Sequence, residues 1–220
     1  MSDGKHLIKG LFLGAKETLP NGQESAIRKK SVESIKINFT HISDDAIVDQ
    51  VHHGGEMRVI HHYSQYNYHI LKNKFPDIAN RFQPGSFGEN ILTEELTEKD
   101  LFIGDIYQLG SAKVQLTVAR RPCATINQSY QDSRVLKEVM STGHVGWFYK
   151  VLEEGSVKLG DYLEFIERPF PNLKVSDLYD QGYAPGAKFK NRNFLNLCLA
   201  TGLMDKGWKP KVEKALTSLP

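Results

Sequence analysis

Short apolar or alternating runs recur along most of this sequence, separated by glycine, proline, asparagine and aspartate. Runs of this length between such breakers are typical of β-strands. The strands predicted in this way cover residues 7–13, 32–37, 105–109, 113–119 and 161–166. The sequence therefore predicts a mainly β fold, in which the long connections 14–28 and 40–55 are natural places for a functional site.

Helical periodicity interrupts this pattern at two internal places. A first helix is predicted directly after Gly54 and Gly55. Its apolar stripe consists of Val59, Tyr63, Tyr66 and Ile70, and its polar face of His62, Gln65, His69 and Lys72. A second helix is predicted over 134–141 and is stopped by Gly143. We expect the first helix to pack across a barrel mouth or a sheet edge.

Pro169 and Pro171 mark a change to helical periods that persists to the end of the chain. Three helices are predicted beyond them, over 175–179, 189–200 and 209–216. We therefore assign residues 1–168 to the β domain and residues 169–220 to a small three-helix subdomain. Because two prolines separate these parts, we expect few core contacts to cross the boundary.

The chain has 220 residues, of which 40% are hydrophobic, so it can bury a sizeable core. Its 28 Lys and Arg residues nearly balance 26 Asp and Glu residues, and a net charge of +2 disfavours dedicated nucleic-acid binding. The sequence contains no apolar run of the roughly 20 residues that a transmembrane helix needs. Its opening also lacks the apolar stretch of a signal peptide. These features predict a cytoplasmic protein that does not bind a membrane.

Five of the eight histidines fall within 18 residues, which raises the question of a metal site. They are His52, His53, His61, His62 and His69. A helical metal pair needs ligands at positions i and i+4, and the predicted helix does not space its histidines in that way. Most of these histidines are therefore interpreted as surface or packing residues.

His53 is the exception, because it precedes Gly54 and Gly55 at the predicted start of a helix. Free backbone N–H groups and the helix dipole favour an anion at such a position. Arg58, one turn later, would add positive charge to the same site. The alternative is a glycine-rich turn that binds no ligand.

The loop 84–90 is a second candidate site, since its glycines, Gly88 among them, permit close approach of the backbone to a ligand. Asn90 at its end offers a hydrogen-bond donor and an acceptor to a heterocycle. The alternative is an ordinary loop before the next strand.

The two cysteines are predicted to differ in role. Cys123 and Cys198 lie 75 positions apart and neither belongs to a CxxC motif, so both are interpreted as free thiols. Cys198 lies on an apolar helix face, where a cysteine behaves as a small buried hydrophobe. Cys123 follows Arg120 and Arg121, whose charges favour a thiolate, and a thiolate is a nucleophile or a soft metal ligand. Cys123 is therefore the third candidate.

Taken together, these residues resemble the MOSC family, named for the C-terminal part of molybdenum cofactor sulfurase, and within it the YiiM-like subgroup. The resemblance rests on residues 25–29, Asp45, 51–63 with His53-Gly54-Gly55 and Arg58, 87–90, 104–105, Arg120 with Pro122-Cys123, 142–143 and 145–147. The part after Pro171 resembles the helical unit called the 3-alpha domain. The sequence departs from the family pattern at His52, Ser31, Glu56 and Met57, three of them near His53.

The resemblance implies a β-barrel-like domain that binds the molybdenum cofactor, with Cys123 as a candidate molybdenum ligand and catalytic residue. The cofactor-binding positions that it implies are Lys29, Gly54, Gly55, Arg58, Gly88, Asn90 and Arg120. A cofactor with a terminal phosphate, a hydrogen-bonding pterin and a metal that prefers soft ligands needs cations, an amide and a thiolate together. The residue types at these positions supply that combination.

The activity that the resemblance implies is reduction of N-hydroxylated compounds, such as hydroxylaminopurines, to amines. His53 is the best candidate for the acid that delivers a proton. The sequence carries no flavin, iron–sulfur or dinucleotide-binding motif, so a separate electron-donating reductase is expected as a partner.

Two other functions fit the same residues. In one, the protein carries the cofactor, or transfers sulfur through a persulfide on Cys123, without reducing a substrate. In the other, it is a metal-free interaction module built around the three-helix subdomain.

Overall fold

Four of the five predicted strands belong to one curled sheet in the structure, a computed structural model that describes residues 4–49 and 53–219. The fifth, predicted over 32–37, lies in a separate two-stranded sheet. The strands are β1 (Lys5–Leu7), β2 (Gly10–Gly14), β3 (Glu17–Thr18), β4 (Glu24–Ser25), β5 (Lys29–Ser31), β6 (Ser34–Ile37), β7 (Ile60–Ser64), β8 (Ile91–Thr93), β9 (Ile106–Leu109), β10 (Ala112–Ala119), β11 (Trp147–Glu153), β12 (Gly155–Lys158) and β13 (Tyr162–Glu167). The helices are α1 (Gln65–Lys74), α2 (Thr125–Tyr130), α3 (Ser133–Thr142), α4 (Val175–Gly182), α5 (Arg192–Ala200) and α6 (Lys209–Ser218), with 3₁₀ turns at Glu56–Arg58 and Pro76–Arg81.

The main sheet has the order β1-β13-β9-β10-β11-β7-β8-β2-β5. Only Ile8 and Lys9 connect β1, at one edge, to β2, near the other edge. The Ile8 amide donates to the carbonyl of Asp161 on one side, and the Lys9 amide donates to that of Leu92 on the other. Because so short a connection cannot cross a flat sheet of this width, the sheet must curl. The mainly β, barrel-like fold predicted from the sequence is confirmed.

The second internal helix was predicted correctly from the residues that cap its two ends. Asp132 caps α3 by accepting a hydrogen bond from the Arg134 amide at 2.8 Å. Gly143 ends the helix with a φ of 72°. The short helix α2, directly after Cys123, was not predicted.

The prediction of a helix that starts after Gly55 is wrong for the first half of that helix. A single 3₁₀ turn follows Gly55, strand β7 comes next, and α1 begins only at Gln65. β7 lies between β11 and β8 and is buried over all five residues, so its two faces do not alternate between apolar and polar residues. The spacing of Val59, Tyr63 and Tyr66 imitates a helical stripe for that reason.

The three-helix subdomain is packed into the β domain, so the expectation of few shared core contacts is wrong. Trp208 is completely buried, and its indole N–H donates to the carbonyl of Ala119 at the end of β10, at 2.8 Å. The Val175 amide donates to the carbonyl of Leu101 at 3.0 Å. The assignment of residues 1–168 and 169–220 to separate units stays a prediction.

None of the helices in the described ranges is long and apolar enough to cross a membrane.

We predict that Trp208→Ala lowers the free energy of unfolding by about 3 to 5 kcal/mol, because it leaves a large cavity and an unpaired carbonyl between the two units. For a chain of this size, Tm should fall by on the order of 10 °C in a single transition. Leu197→Ala is the matched control: Leu197 is 43% exposed on α5, so its loss should cost about 0.5 kcal/mol or less. A variant whose β domain melts at the wild-type temperature would contradict the prediction.

Candidate functional site

One cleft beside the curled sheet brings together most of the residues identified from the sequence. Its volume is about 860 Å³ including the open mouth, a size suited to a small molecule or a cofactor. The predicted residues that line it are Lys29, His53, Gly54, Arg58, Gly88, Asn90, Arg120 and Cys123. Gly55 does not belong to this lining.

The backbone around Cys123 is fixed by hydrogen bonds from three parts of the chain. The Arg120 amide donates to the carbonyl of Gly146 at 2.9 Å. The Tyr183 hydroxyl, from the loop after α4, donates to the carbonyl of Pro122 at 3.1 Å. The Cys123 carbonyl accepts from the Ile126 amide in the first turn of α2. The half-buried thiol is thus held at the cleft by a rigid turn.

The surroundings of Cys123 favour a thiolate. Burial by itself would raise the pKa of the thiol, but a hydrogen bond from His53, the charge of Arg120 and a hydrogen bond from Thr125 lower the pKa to about 6. Cys198 is completely buried, and burial raises the pKa of its thiol to about 12. The structure therefore distinguishes a half-buried thiol with a lowered pKa from a completely buried thiol with a raised pKa, and the reactivity of Cys123 stays a prediction.

Lys29 is held by Asp45, which also accepts hydrogen bonds from Gly14 and Asn90. The Lys29 ammonium donates to Asp45 Oδ2 at 2.6 Å, and both side chains are buried. Asp45 Oδ1 accepts from the Gly14 amide at 2.7 Å. Burial lowers the pKa of Lys29, whereas Asp45 opposes that shift.

Asn90 has a structural role that the sequence did not indicate. Its Nδ2 donates to Asp45 Oδ2 at 2.8 Å and to the Phe12 carbonyl at 3.3 Å. Its Oδ1 accepts from the His61 amide at 3.1 Å. Both ends of the amide thus bind the protein and join three parts of the chain, and a hydrogen bond from Asn90 to a heterocycle stays a prediction.

Arg58 reaches the cleft as a buried cation and pairs with a residue of the three-helix subdomain. Its Nε lies 3.5 Å from Asp205 Oδ2, and its guanidinium lies 4.4 Å above the Phe148 ring. Burial lowers the pKa of Arg58 to about 10, although Asp205 raises it. Asp205 Oδ1 also accepts from the Gly207 and Trp208 amides at 2.8 and 2.7 Å.

Asp205 is the main residue that sequence reasoning missed. Aspartate favours turns, so a turn before α6 could be predicted from this residue. Nothing near it in the sequence indicates that it pairs with Arg58.

Arg120 is buried and held by neutral groups. Its Nη1 donates to the Phe87 carbonyl at 2.5 Å, and its guanidinium lies 4.6 Å from the centre of the Phe87 ring. Within the described part of the chain, no carboxylate forms an ion pair with it. Its positive charge is therefore available to an anion in the cleft.

His61 is a second residue that was missed, because the wrong helix prediction left its position unrecognised. It lies in β7, lines the cleft and is 4% exposed. Among the residues that the structure describes, its Nε2 has no hydrogen-bond partner. Burial lowers its pKa well below the usual value, so the ring is neutral at pH 7.

The turn at Gly54 and Gly55 does not form the predicted helical anion site. Both glycines have positive φ, 79° and 98°, but the 3₁₀ turn after them spans only Glu56–Arg58. So short a turn has no substantial dipole, and the positive charge of the cleft comes from side chains.

The other histidines form no metal site in the described ranges, where no group of three or more His, Cys, Asp or Glu side chains could hold an ion. His62 is completely buried in β7 and hydrogen-bonded to Tyr149 and Thr93, so it is a packing residue and does not lie on a polar helix face. His52 lies outside the described residues.

Comparisons with known proteins agree with this arrangement. The profile of the family described as "MOSC domain" matches residues 49–164. Protein YiiM of Escherichia coli (strain K12) is 31% identical over 208 residues, which cover 93% of this chain and 90% of that protein. A protein named "Reductase" from Gibberella moniliformis is 33% identical over 124 residues, 56% of this chain and 22% of that longer protein.

Solved structures show the same fold. The crystal structure of YiiM from Escherichia coli has a TM-score of 0.79 at 24% identity and covers 97% of this chain and 93% of that one. The crystal structure of YiiM from Geobacillus stearothermophilus has a TM-score of 0.77 at 24% identity, with 96% and 98% covered.

The low pKa of Cys123 predicts the pH profile of its alkylation. The thiolate fraction rises with pH, so the iodoacetamide rate should be half-maximal near pH 6 and nearly constant above pH 7.5. His53→Ala removes a hydrogen bond to the thiolate and should move the midpoint to higher pH. Cys123→Ser is the control and should abolish the reaction. A wild-type midpoint of 8 to 9 would contradict the electrostatic account.

We also predict that Asp205→Asn lowers the free energy of unfolding by about 3 kcal/mol, because it leaves Arg58 buried beside a neutral group. Inorganic phosphate should stabilise this variant more than the wild type, since an anion can replace the lost carboxylate. Urea titrations with and without phosphate measure both effects. Glu213→Gln, on the exposed side of α6, is the matched control and should change little. Equal stability of Asp205→Asn and wild type would show that the pair is unimportant.

Proposed function

The chain belongs to the MOSC domain family, and from that premise we propose that it binds the molybdenum cofactor and reduces N-hydroxylated compounds to amines. Membership in this family relates the chain to the molybdenum cofactor in general terms. The observation that carries the specific proposal is the Cys123 thiolate in a cleft lined by buried cations.

The side chains in the cleft fit this cofactor. A single thiolate suits a metal that arrives inside a cofactor, with ligands of its own, better than a metal held by protein side chains alone. Lys29, Arg58 and Arg120 would face the phosphate and the other polar groups of the cofactor.

The proposed reaction consumes two electrons and two protons: the N–O bond of R–NHOH breaks, and R–NH₂ and water form. When bound, the cofactor supplies a metal centre that exchanges two electrons per turnover. A hydrogen bond from His53 contributes to the low pKa of the Cys123 thiol, so His53 lies beside the thiol at the edge of the cleft. His53 would be the proton donor to the hydroxyl oxygen that leaves as water.

Electrons would come from a separate reductase. The chain has only two cysteines, and Cys198 is buried away from the cleft, so they cannot form the set of four that iron–sulfur clusters require. The relative named "Reductase" supports an oxidoreductase role for this region.

The test begins with expression in a host that makes the cofactor. We expect the purified protein to contain molybdenum and to convert 6-hydroxylaminopurine to adenine with reduced methyl viologen as donor. Tight retention of the cofactor without turnover would indicate the carrier function instead. A protein that contains neither molybdenum nor pterin would overturn the proposal.

We predict that Cys123→Ser keeps the fold but lowers turnover at least a hundredfold, because a serine hydroxyl is a harder and much less acidic ligand than a thiol. Tm, molybdenum content and turnover are measured together. Cys198→Ser is the matched control and should lower Tm slightly, by burying a hydroxyl, while turnover is kept. Full activity of Cys123→Ser would remove the cysteine from the mechanism.

A further inference from the structure

Positive charge is concentrated at the C-terminal end of the chain. Residues 183–219 contain seven Lys and Arg residues and two acidic residues, a net charge of +5. Since the whole chain carries +2, the rest of it carries −3. The basic residues of this segment are Lys188, Lys190, Arg192, Lys206, Lys209, Lys211 and Lys214, and all seven are exposed. One of the two acids, Asp205, is buried against Arg58, so the surface of the segment is more basic than its net charge indicates.

Four of these residues lie on or directly before α6: Lys206, Lys209, Lys211 and Lys214. We name them the α6 basic patch. Lys211 and Lys214 are neighbours on one side of the helix, because they are three residues apart. Val212 and Trp208 are completely buried in the core.

The α6 basic patch is connected to the turn that carries Cys123. The Lys211 ammonium lies 5.8 Å from the centre of the Tyr183 ring, and the Tyr183 hydroxyl donates to the carbonyl of Pro122, the residue before Cys123. Lys206 stands between Asp205, which pairs with Arg58, and Gly207, which lies against the Arg121 guanidinium. A partner seated on this patch is therefore close to the cleft.

We propose that the α6 basic patch docks an acidic electron-transfer protein that delivers electrons to the cleft. This inference rests on the proposed function, which requires an external donor of two electrons per turnover. Opposite charges on two proteins accelerate their encounter and orient it, and salt weakens the effect. The patch would thus select the partner and also place it beside Cys123.

The surface is less suited to a nucleic acid. Proteins that hold single strands combine basic side chains with exposed aromatic rings on which bases stack. In the described part of the segment, Trp208 is buried and Tyr183 is half-buried beneath Lys211. The net charge of the whole chain, +2, also provides no extended basic field.

The experiment compares a protein donor with a small donor on the full-length, cofactor-loaded protein. The protein donors are flavodoxin and a [2Fe–2S] ferredoxin, each with its NADPH-dependent reductase, and the small donor is reduced methyl viologen. Lys211→Glu/Lys214→Glu should lower turnover at least tenfold with a protein donor at low salt and leave it unchanged with viologen. Wild-type turnover with the protein donor should fall as salt is added.

The matched control is Lys36→Glu/Lys158→Glu, which changes the net charge equally. These two exposed lysines lie on the small sheet formed by β6 and β12. This variant should keep full turnover with both kinds of donor. Equal losses in the two double variants would show that only net charge matters, which would overturn the docking site.

The remaining outcomes separate the two proposals. The docking site alone would be overturned if viologen supports turnover but neither protein donor does. It would also be overturned if Lys211→Glu/Lys214→Glu lowers turnover equally with viologen and with a protein donor. If neither viologen nor a protein donor supports turnover, the proposed function is overturned. In that case, surface plasmon resonance with flavodoxin and ferredoxin still tests the patch, and absence of patch-dependent binding overturns it. Patch-dependent binding of a labelled 20-nucleotide single strand, with none of either protein, would assign the patch to nucleic acid.

Discussion

Lys29, Arg58 and Arg120 are buried beside one cleft, and each cation needs a partner because an unpaired charge is costly to remove from water. Each partner comes from a different part of the chain: the loop that carries Asp45, the turn before α6 that carries Asp205, and the loop that ends at Asn90. These pairs therefore fix the relative positions of the elements around the cleft. Asp45 and Asp205 offset the charges of Lys29 and Arg58, so among these three cations Arg120 is the one whose charge no carboxylate in the described residues balances.

The same arrangement explains why the three-helix subdomain belongs to the site. Asp205 accepts hydrogen bonds from the Gly207 and Trp208 amides in the turn before α6 and also pairs with Arg58, while Trp208 donates to the carbonyl of Ala119 at the end of β10, just before Arg120. Tyr183 supports the turn before Cys123. The subdomain thus supports the turn that carries Cys123, and its basic surface is connected to that turn through Tyr183.

Features of the sequence with a local cause could be predicted. The caps of α3 are set by Asp132 and Gly143, and the surroundings of Cys123 are indicated by the neighbouring Arg120. Strand β7 could not be identified, because burial on both faces removes the alternation that marks a strand. The Arg58–Asp205 pair and the engaged amide of Asn90 arise only when distant segments meet, and no local pattern encodes them.

We propose that Cys123 would be a ligand of molybdenum when the cofactor is bound in this cleft. X-ray absorption at the molybdenum edge tests it directly on protein purified from a host that makes the cofactor. The account predicts one more sulfur neighbour of molybdenum in the wild type than in Cys123→Ser, with spectra compared at equal molybdenum content. Identical sulfur counts in the two proteins would contradict it and would leave the thiolate without a role at the metal.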